Sequence, residues 1–434
     1  MENFDKIKNC NTSQETLSQE DWYKIVKNKL NTSNFKILEC SVRSFSDEQV
    51  GFLGEHLSLQ ATVLLEKEDE TSEKINLEFF AKCLPRKNEE YESFINDTQS
   101  FYKEYRFYLD ILPDLKKHRI DEELCWTSKC YLSKPNVIVL ENLINRGFRH
   151  SDCKPSIDYK HCVVLVETLA RFHAESVFFE EKTYSKLGEK YSDILFESFW
   201  MNKEGHPGYD FMRATSKAVI NLLEHQPDYQ TNQHKYKMVK EKYLEVTKET
   251  CEFVKPSKKY RNVICHGDLW ASNIFFRYNE NAEPVEVRLV DFQLFRYTPP
   301  AHDVMCFLYF VSNRDFRKKF LDEILTIYYK TFSSELEKCG LNADELQFSW
   351  TEFRESCEFY ERAARILCVM YYQNIMMKGD YLKEKVFNSA ENIQMFMRID
   401  KSKYIIENYL NDPNFRARNH EAMQEMFQFC ILNQ

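Results

Sequence analysis

The chain of 434 residues has little glycine and proline, 9 and 11 respectively. That scarcity argues against collagen-like repeats, long disordered tracts and a loop-rich secreted scaffold. Positive charge is not in excess either. The 59 Lys and Arg are outnumbered by 68 Asp and Glu, for a formal net charge of −9. A dedicated nucleic-acid binder needs a basic stripe that displaces counterions from phosphates, so no nucleic-acid partner is expected. There is no apolar run approaching the roughly 18 residues of a membrane span, and the polar first twenty residues contain no apolar signal-peptide core. No membrane partner is therefore expected. The 14 cysteines are scattered, and none forms a C-x-x-C pair; Cys125 and Cys130, the closest two, have four residues between them. A disulfide framework and a zinc site both lack their usual spacing, so reduced, mostly buried thiols in a cytoplasmic protein are the expectation.

What is present is enough to build a large core. Hydrophobic residues make up 43% of the chain and aromatic ones 15%. The length suffices for two or more packed lobes. Residues 1–34 read as a helical lead-in: Ser18 stands where a cap would, and Trp22, Ile25, Val26 and Leu30 follow at helical spacing. Next, Leu57, Leu59, Ala61, Val63 and Leu65 alternate strictly, and so do Ile75, Leu77, Phe79 and Ala81 after a polar turn. This pattern predicts an antiparallel hairpin with Lys82 on the face opposite those last four residues. Residues 94–112 carry Phe101, Tyr105, Tyr108 and Leu112 at i, i+4, i+7 and i+11, a helix expected to end at Pro113, with Glu104 beside the stripe. Residues 137–140 form a short apolar strand leading into Glu141, Asn142 and Leu143. Beyond about residue 155 the pattern is helical, interrupted by a second hairpin over 274–278 and 285–290. The fold class expected is α+β: residues 35–143 as a small β-rich lobe and 144–434 as a large, mostly helical one.

The sharpest chemical signal is His266-Gly267-Asp268-Leu269-Trp270-Ala271-Ser272-Asn273. An Asp followed five positions later by an Asn is the spacing of a kinase catalytic loop. One carboxylate must orient an acceptor hydroxyl and take its proton as the oxygen attacks phosphorus. A neutral oxygen ligand a few residues on must hold magnesium against the phosphates. Asp291 follows Asn273 by eighteen positions, behind the predicted hairpin, and is placed to be a second magnesium ligand.

These motifs resemble the kinase-like superfamily of choline kinases and aminoglycoside phosphotransferases, with its bilobal protein-kinase-like fold. The form His-Gly-Asp-Leu-Trp-x-x-Asn is similar to the ecdysteroid kinase-like family within it. Phe80-Ala81-Lys82 resembles the family's strand lysine, residues 101–107 its glutamate-bearing helix, residues 139–143 its hinge and residues 169–174 the helix before its catalytic loop. The resemblance covers roughly residues 35–400. It implies ATP and magnesium as cofactors. Asp268 is the implied base, with His266 beside it as a brace for the loop rather than an acid or base. Asn273 and Asp291 are the implied magnesium ligands. Lys82 would pair with the α- and β-phosphates, held by Glu104, although Glu92 on the same carboxylate-rich helix is an alternative. Backbone groups around Glu141 and Leu143 would bind adenine. Asp303 would cap the next helix and support the catalytic loop.

The glycine fingerprint G-x-G-x-x-G is missing. Gly51 and Gly54, in Val50-Gly51-Phe52-Leu53-Gly54, are the candidates for a looser phosphate loop. That gap, and the lack of an Ala-Pro-Glu element after Asp291, point from protein substrates to small molecules. The resemblance implies an ecdysteroid or other hydroxylated apolar alcohol as acceptor, detoxification being one role, with the aromatics Phe178, Phe179, Phe196, Phe199, Trp200, Tyr209 and Phe211 helping to wall its pocket. A choline- or ethanolamine-type kinase and a nucleotide-binding pseudokinase are the alternatives. A monomer is assumed.

Overall fold

The first ordered turn is set by chemistry visible in the sequence. Ser18 and Asp21 form a reciprocal capping box: Asp21 N–H donates to Ser18 Oγ at 3.2 Å and Ser18 N–H to Asp21 Oδ2 at 2.9 Å. Helix α1 (Gln19–Leu30) follows. Its buried Trp22, Ile25 and Val26 join a core with Phe35, Ile37, Val63, Phe79, Ala81 and Val139. The lead-in thus packs directly on the sheet, and burying each large apolar side chain there stabilises the fold by about 1.5–3 kcal/mol. The computed structural model describes residues 17–45, 54–67, 71–85, 89–118, 125–152, 156–226, 229 and 231–433. Gly51 lies outside these residues.

Five antiparallel strands form the first sheet: β1 (Phe35–Ser44), β2 (Glu55–Glu66), β3 (Ser72–Cys83), β4 (Cys130–Lys134) and β5 (Val137–Glu141), in the order β1-β2-β3-β5-β4. β2 and β3 pair from Glu55↔Cys83 to Glu66↔Ser72, the hairpin that the alternation predicts. Because side chains alternate along a strand, Phe79 and Ala81 enter the core beneath α1 while Lys82 faces the other way. The sheet therefore has an apolar face for the core and a face that presents a lysine.

The helix expected over 94–112 is broken. It comprises α2 (Glu89–Asp97) and α3 (Ser100–Arg106), separated at Gln99, whose φ is +55°. A π-turn at Phe107–Ile111 then runs into Leu112–Lys117. Pro113 does not end the helix but sits in the first turn of that last segment. The wider turn makes this possible: Leu112 N–H reaches back to Phe107 O, and a proline near a new helical start forfeits no donor that the helix needs.

The rest is mostly helical. α4 (Tyr159–Thr183) and α5 (Pro207–Leu223) precede a two-stranded ribbon of β7 (Val263–Cys265) with β10 (Arg296–Thr298). A three-stranded sheet of β6 (Phe148–Arg149), β8 (Ile274–Tyr278) and β9 (Pro284–Leu289) includes the second predicted hairpin. α6 (Pro300–Val311), buried along its whole length, packs against α8 (Trp350–Ile375), with α7 (Arg314–Glu337) between them in sequence. α9 (Ser402–Asn411) lies near the C-terminus. The architecture is the expected α+β one, a small β-rich region followed by a mostly helical remainder. Among the described residues no helix is long and apolar enough to cross a membrane. No disulfide joins the described cysteines, nine of which are buried.

Candidate active site

Lys82, from β3, projects into the cleft between the first sheet and the helical region, where two carboxylates meet it. Its Nζ donates to Glu104 Oε2 at 2.6 Å and to Asp291 Oδ1 at 2.5 Å, and is 3.4 Å from Gln293 Oε1. Lys82 and Glu104 are 4% and 1% exposed, so the pair is held away from water. The two neighbouring carboxylates keep the ammonium charged and push its pKa up, against desolvation, which is the largest single effect. Burial pushes the Glu104 carboxyl up to about 7, opposed chiefly by Lys82. Glu104, not Glu92, is the carboxylate that reaches the lysine. Gly54 packs on the stem: its φ is +134°, and a Cβ there would come within 2.8 Å of Lys82 Cε. Tyr91 Oη accepts the Gly54 N–H at 3.2 Å. His56, opposite Lys82 across the strand pair, is pushed down to about 4 by burial and then by Lys82, so it stays neutral.

The 266–273 segment connects β7 to β8. Its backbone is fixed by Asp303, from the first turn of α6. The Asp303 carboxylate accepts from His266 N–H at 2.5 Å and from Gly267 N–H at 2.9 Å. It also meets His173 Nε2 at 3.2 Å, while His173 Nδ1 lies 2.7 Å from Tyr328 Oη. Against its burial, which is the largest single effect, the neighbouring His173 and His302 hold Asp303 well below the usual carboxylate range. The expectation that Asp303 caps its own helix is not met. The helix starts with Pro299 outside and Pro300 inside, neither giving a side-chain cap, and the carboxylate is spent on the loop. Gly267 has φ +77°, and a Cβ would lie 2.3 Å from Leu294 O. His266 donates from Nε2 to Val290 O at 2.9 Å and accepts Asp268 N–H on Nδ1 at 3.3 Å. Both ring nitrogens are committed in the neutral tautomer, and burial pushes its pKa down. It braces the loop.

Asp268 is 4% exposed. Its Oδ2 accepts from Asn273 Nδ2 at 3.1 Å and lies 3.4 Å from Gln293 Nε2. Burial, and next the Asp291 carboxylate, push it up to about 8. Asn273 Nδ2 also donates to Asp268 O at 2.8 Å, so its nitrogen is committed and its oxygen is the atom available to a cation. Asp291 arrives by the β8–β9 hairpin, where Val290 N–H donates to Asn273 O at 3.1 Å. Its φ of +68° is left-handed, a costly conformation for a residue with a side chain, held here by neighbours on both sides. Phe292 stacks on Phe107 with centroids 4.2 Å apart, and its N–H donates to Glu104, so the helix bearing Glu104 and the segment bearing Asp291 are fastened together.

The structure thus brings together Lys82, Glu104, Asp268, Asn273 and Asp291, with Gly54 against the lysine and His266 beneath the loop. Glu141 and Leu143 sit at the end of β5, where Arg146 pairs with Glu141 Oε1 at 2.8 Å and Phe148 N–H closes on Leu143 O at 3.0 Å. Above Asp268 and Asp291 opens a pocket lined by Phe94, Phe199, Trp200, Phe211, Trp270, Tyr371, Asn374 and Met397 among others. Of the seven aromatics expected to wall it, Phe199, Trp200 and Phe211 do so. Phe178, Tyr209 and the exposed Phe196 do not line it, and Phe179 is core. Sequence reasoning missed Tyr371, Asn374 and Met397, which lie about a hundred residues beyond the loop with no motif around them. Gln293 was equally unmarked, although it bridges Lys82 and Asp268.

Comparison with known proteins agrees with the motifs. The model of the ecdysteroid kinase-like family matches residues 52–341. An uncharacterized kinase-like protein of Caenorhabditis elegans is 23% identical over 235 residues, 54% of this chain and 56% of that protein, so the chain matches little more than half of its curated relative. Among solved structures, an ethanolamine kinase of Plasmodium vivax is 12% identical with a TM-score of 0.38, covering 85% of this chain and 80% of the other. A microcompartment-associated aminopropanol kinase is 11% identical with a TM-score of 0.39, covering 90% and 98%. With the family model matched over more than half of its length, the chain belongs to the ecdysteroid kinase-like family.

Proposed function

We propose that this protein transfers the γ-phosphoryl group of ATP to the hydroxyl of a small, neutral, largely apolar molecule, an ecdysteroid or a compound like it. The observation that carries this reading is a convergence. Asp268 and Asp291 line an aromatic-walled pocket, and behind them hydrogen bonds join Asn273 to Asp268 and a lysine held by a buried glutamate to Asp291. In this reading residues 35–143 serve the nucleotide and 144–434 the chemistry and the acceptor.

Each part has a physical role. Lys82, fixed by Glu104, would hold the α- and β-phosphates, and Gly54 lets backbone approach them because it has no Cβ to obstruct the lysine stem. Backbone groups at Glu141 and Leu143 would meet the adenine edge. The Asn273 amide oxygen and the Asp291 carboxylate are the hard oxygen donors that magnesium prefers, and the committed Asn273 nitrogen leaves that oxygen for it. Bound there, magnesium would offset the charge of the β- and γ-phosphates. Asp268 accepts a hydrogen bond from the acceptor hydroxyl and aims its lone pair at the γ-phosphorus. As the new O–P bond forms and the bond to the bridging oxygen of ADP breaks, the hydroxyl proton passes to Asp268. Burial makes the Asp268 carboxylate more basic than that of an exposed aspartate, which suits it to this proton.

A transfer assay with γ-labelled ATP tests the reading, run over ecdysteroids, simpler sterols, choline, ethanolamine and glycosides. Label should appear in a neutral hydroxylated compound, and Asp268→Asn should remove it. Label in none of them, with no ATP-induced thermal shift, would refute the reading in favour of a binding role.

A further inference from the structure

Apart from Asp268, Asp291 and Gln293, the pocket lining is aromatic and aliphatic except at Asn374. Two partners set that amide. Its Nδ2 donates to Met370 O, one turn back on α8, at 3.1 Å, and its Oδ1 accepts from Lys401 Nζ at 3.0 Å. The assignment is forced by chemistry, since the Met370 carbonyl only accepts, so the amide nitrogen faces it and the amide oxygen faces Lys401. One N–H of the amide is left over, on a side chain that lines the pocket.

Lys401 is an unusual neighbour. It is fully buried, with its nitrogen 3.7 Å from the Phe211 ring centroid and 4.7 Å from that of Phe396. Among the described residues no carboxylate forms an ion pair with it. The adjacent Asp400 turns instead to Ser402 and Lys217. Desolvation alone drives its pKa well down. A buried amine with one amide for a hydrogen-bond partner is costly to keep. Its effect is to pull electron density from the Asn374 oxygen, which strengthens the remaining N–H as a donor in a pocket of low polarity. It also takes up the ring of Phe211, one of the aromatic walls. A quaternary ammonium would need those π faces and would meet any charge on Lys401 as repulsion.

We propose that Asn374, oriented and polarised by Lys401, is a specificity-determining residue that donates a hydrogen bond to a second oxygen of a neutral acceptor, other than the hydroxyl that reacts. Lys401 is the positioning residue behind it. The identity of the reacting hydroxyl rests on the kinase reading, but the oxygen subsite can be tested without it. Trp200 and Trp270 line the same pocket, so their fluorescence reports binding with no nucleotide present.

The probes are matched alcohols with and without a second oxygen at three sizes: 4-hydroxycyclohexanone with cyclohexanol, a hydroxydecalone with decalol, and 3β-hydroxyandrostan-17-one with androstan-3β-ol. Choline is a fourth probe. In the wild-type protein the oxo member of at least one pair should bind about tenfold more tightly or better, and choline should not bind at millimolar concentration. Asn374→Asp, which keeps the shape and gives Lys401 a counterion while removing the donor, and Lys401→Met should each bring that ratio to within about twofold. A merely structural role would weaken both members of a pair equally. No preference within any pair, a preference that survives both substitutions, or tight choline binding would each overturn the proposal. Those outcomes leave phosphoryl transfer untouched, whereas loss of ATP-dependent transfer with the oxygen preference intact would count against the kinase reading alone.

Discussion

Replacing Asp268 by Asn should make the protein more stable and inactive. In the unfolded chain an aspartate titrates near 3.9. In the fold, burial and then the Asp291 carboxylate push Asp268 up to about 8. Between those two pH values the folded protein holds a proton that the unfolded chain has lost. Stability therefore falls as pH rises through this window. At 1.36 kcal/mol per pH unit, the ionised group costs the fold up to about 5 kcal/mol above pH 8, and less as the site relaxes. Asn is neutral throughout and keeps an oxygen for Asn273 and Gln293. For a chain this long, with unfolding entropy of roughly 2.1 cal/mol/K per residue, the gain in Tm at pH 8.5 is about 5 °C, shrinking toward zero as pH approaches 4. Differential scanning calorimetry without nucleotide or metal measures it, and transfer should fall by orders of magnitude in the same preparation. A variant less stable than wild type at pH 8.5, or a Tm difference that does not change with pH, would refute the reasoning.

Three further outcomes follow from the same contacts. Lys82→Met strands the buried Glu104 carboxylate and should cost about 3–5 kcal/mol in urea denaturation, while adding Glu104→Gln should recover most of it without restoring ATP affinity; equal stability of single and double variants would contradict the pairing. Gly267→Ala places a Cβ against Leu294 O at a φ that disfavours side chains, so turnover should drop about 100-fold or more, and full activity would be inconsistent with the loop geometry. Asp303→Asn exchanges one of the two acceptors under the loop for a donor facing a backbone N–H; kcat should fall with ATP affinity kept, and a variant with normal kcat would show that the loop does not depend on this brace.

Residues close together in the chain were legible in the sequence, and residues far apart mostly were not. The spacing within 266–273 and the hairpin before Asp291 survive translation into three dimensions because a short loop and a tight hairpin leave little freedom. Strict alternation in β2 and β3 fixed which face Lys82 occupies, since a strand side chain has only two choices. Glu104 could be picked out beside a helical stripe, but only the structure separates it from Glu92. The break at Gln99 and the π-turn after Arg106 left no trace in an apolar period read across both. Tyr371 and Asn374 are indistinguishable in sequence from other positions of α8, and Lys401 reads as a solvated lysine. Their roles come from packing between helices, which no local pattern encodes.

The central claim is that a neutral alcohol receives the γ-phosphoryl group with Asp268 and Asp291 both in place. Phosphorus-31 NMR of the protein with magnesium, ATP and a responsive neutral sterol tests it most directly. The account predicts a phosphomonoester resonance growing in step with ADP, lost in Asp268→Asn and in Asp291→Ala, with the latter also losing magnesium-dependent ATP binding. ATP converted only to ADP and inorganic phosphate, or a phosphomonoester that persists in both variants, would contradict it.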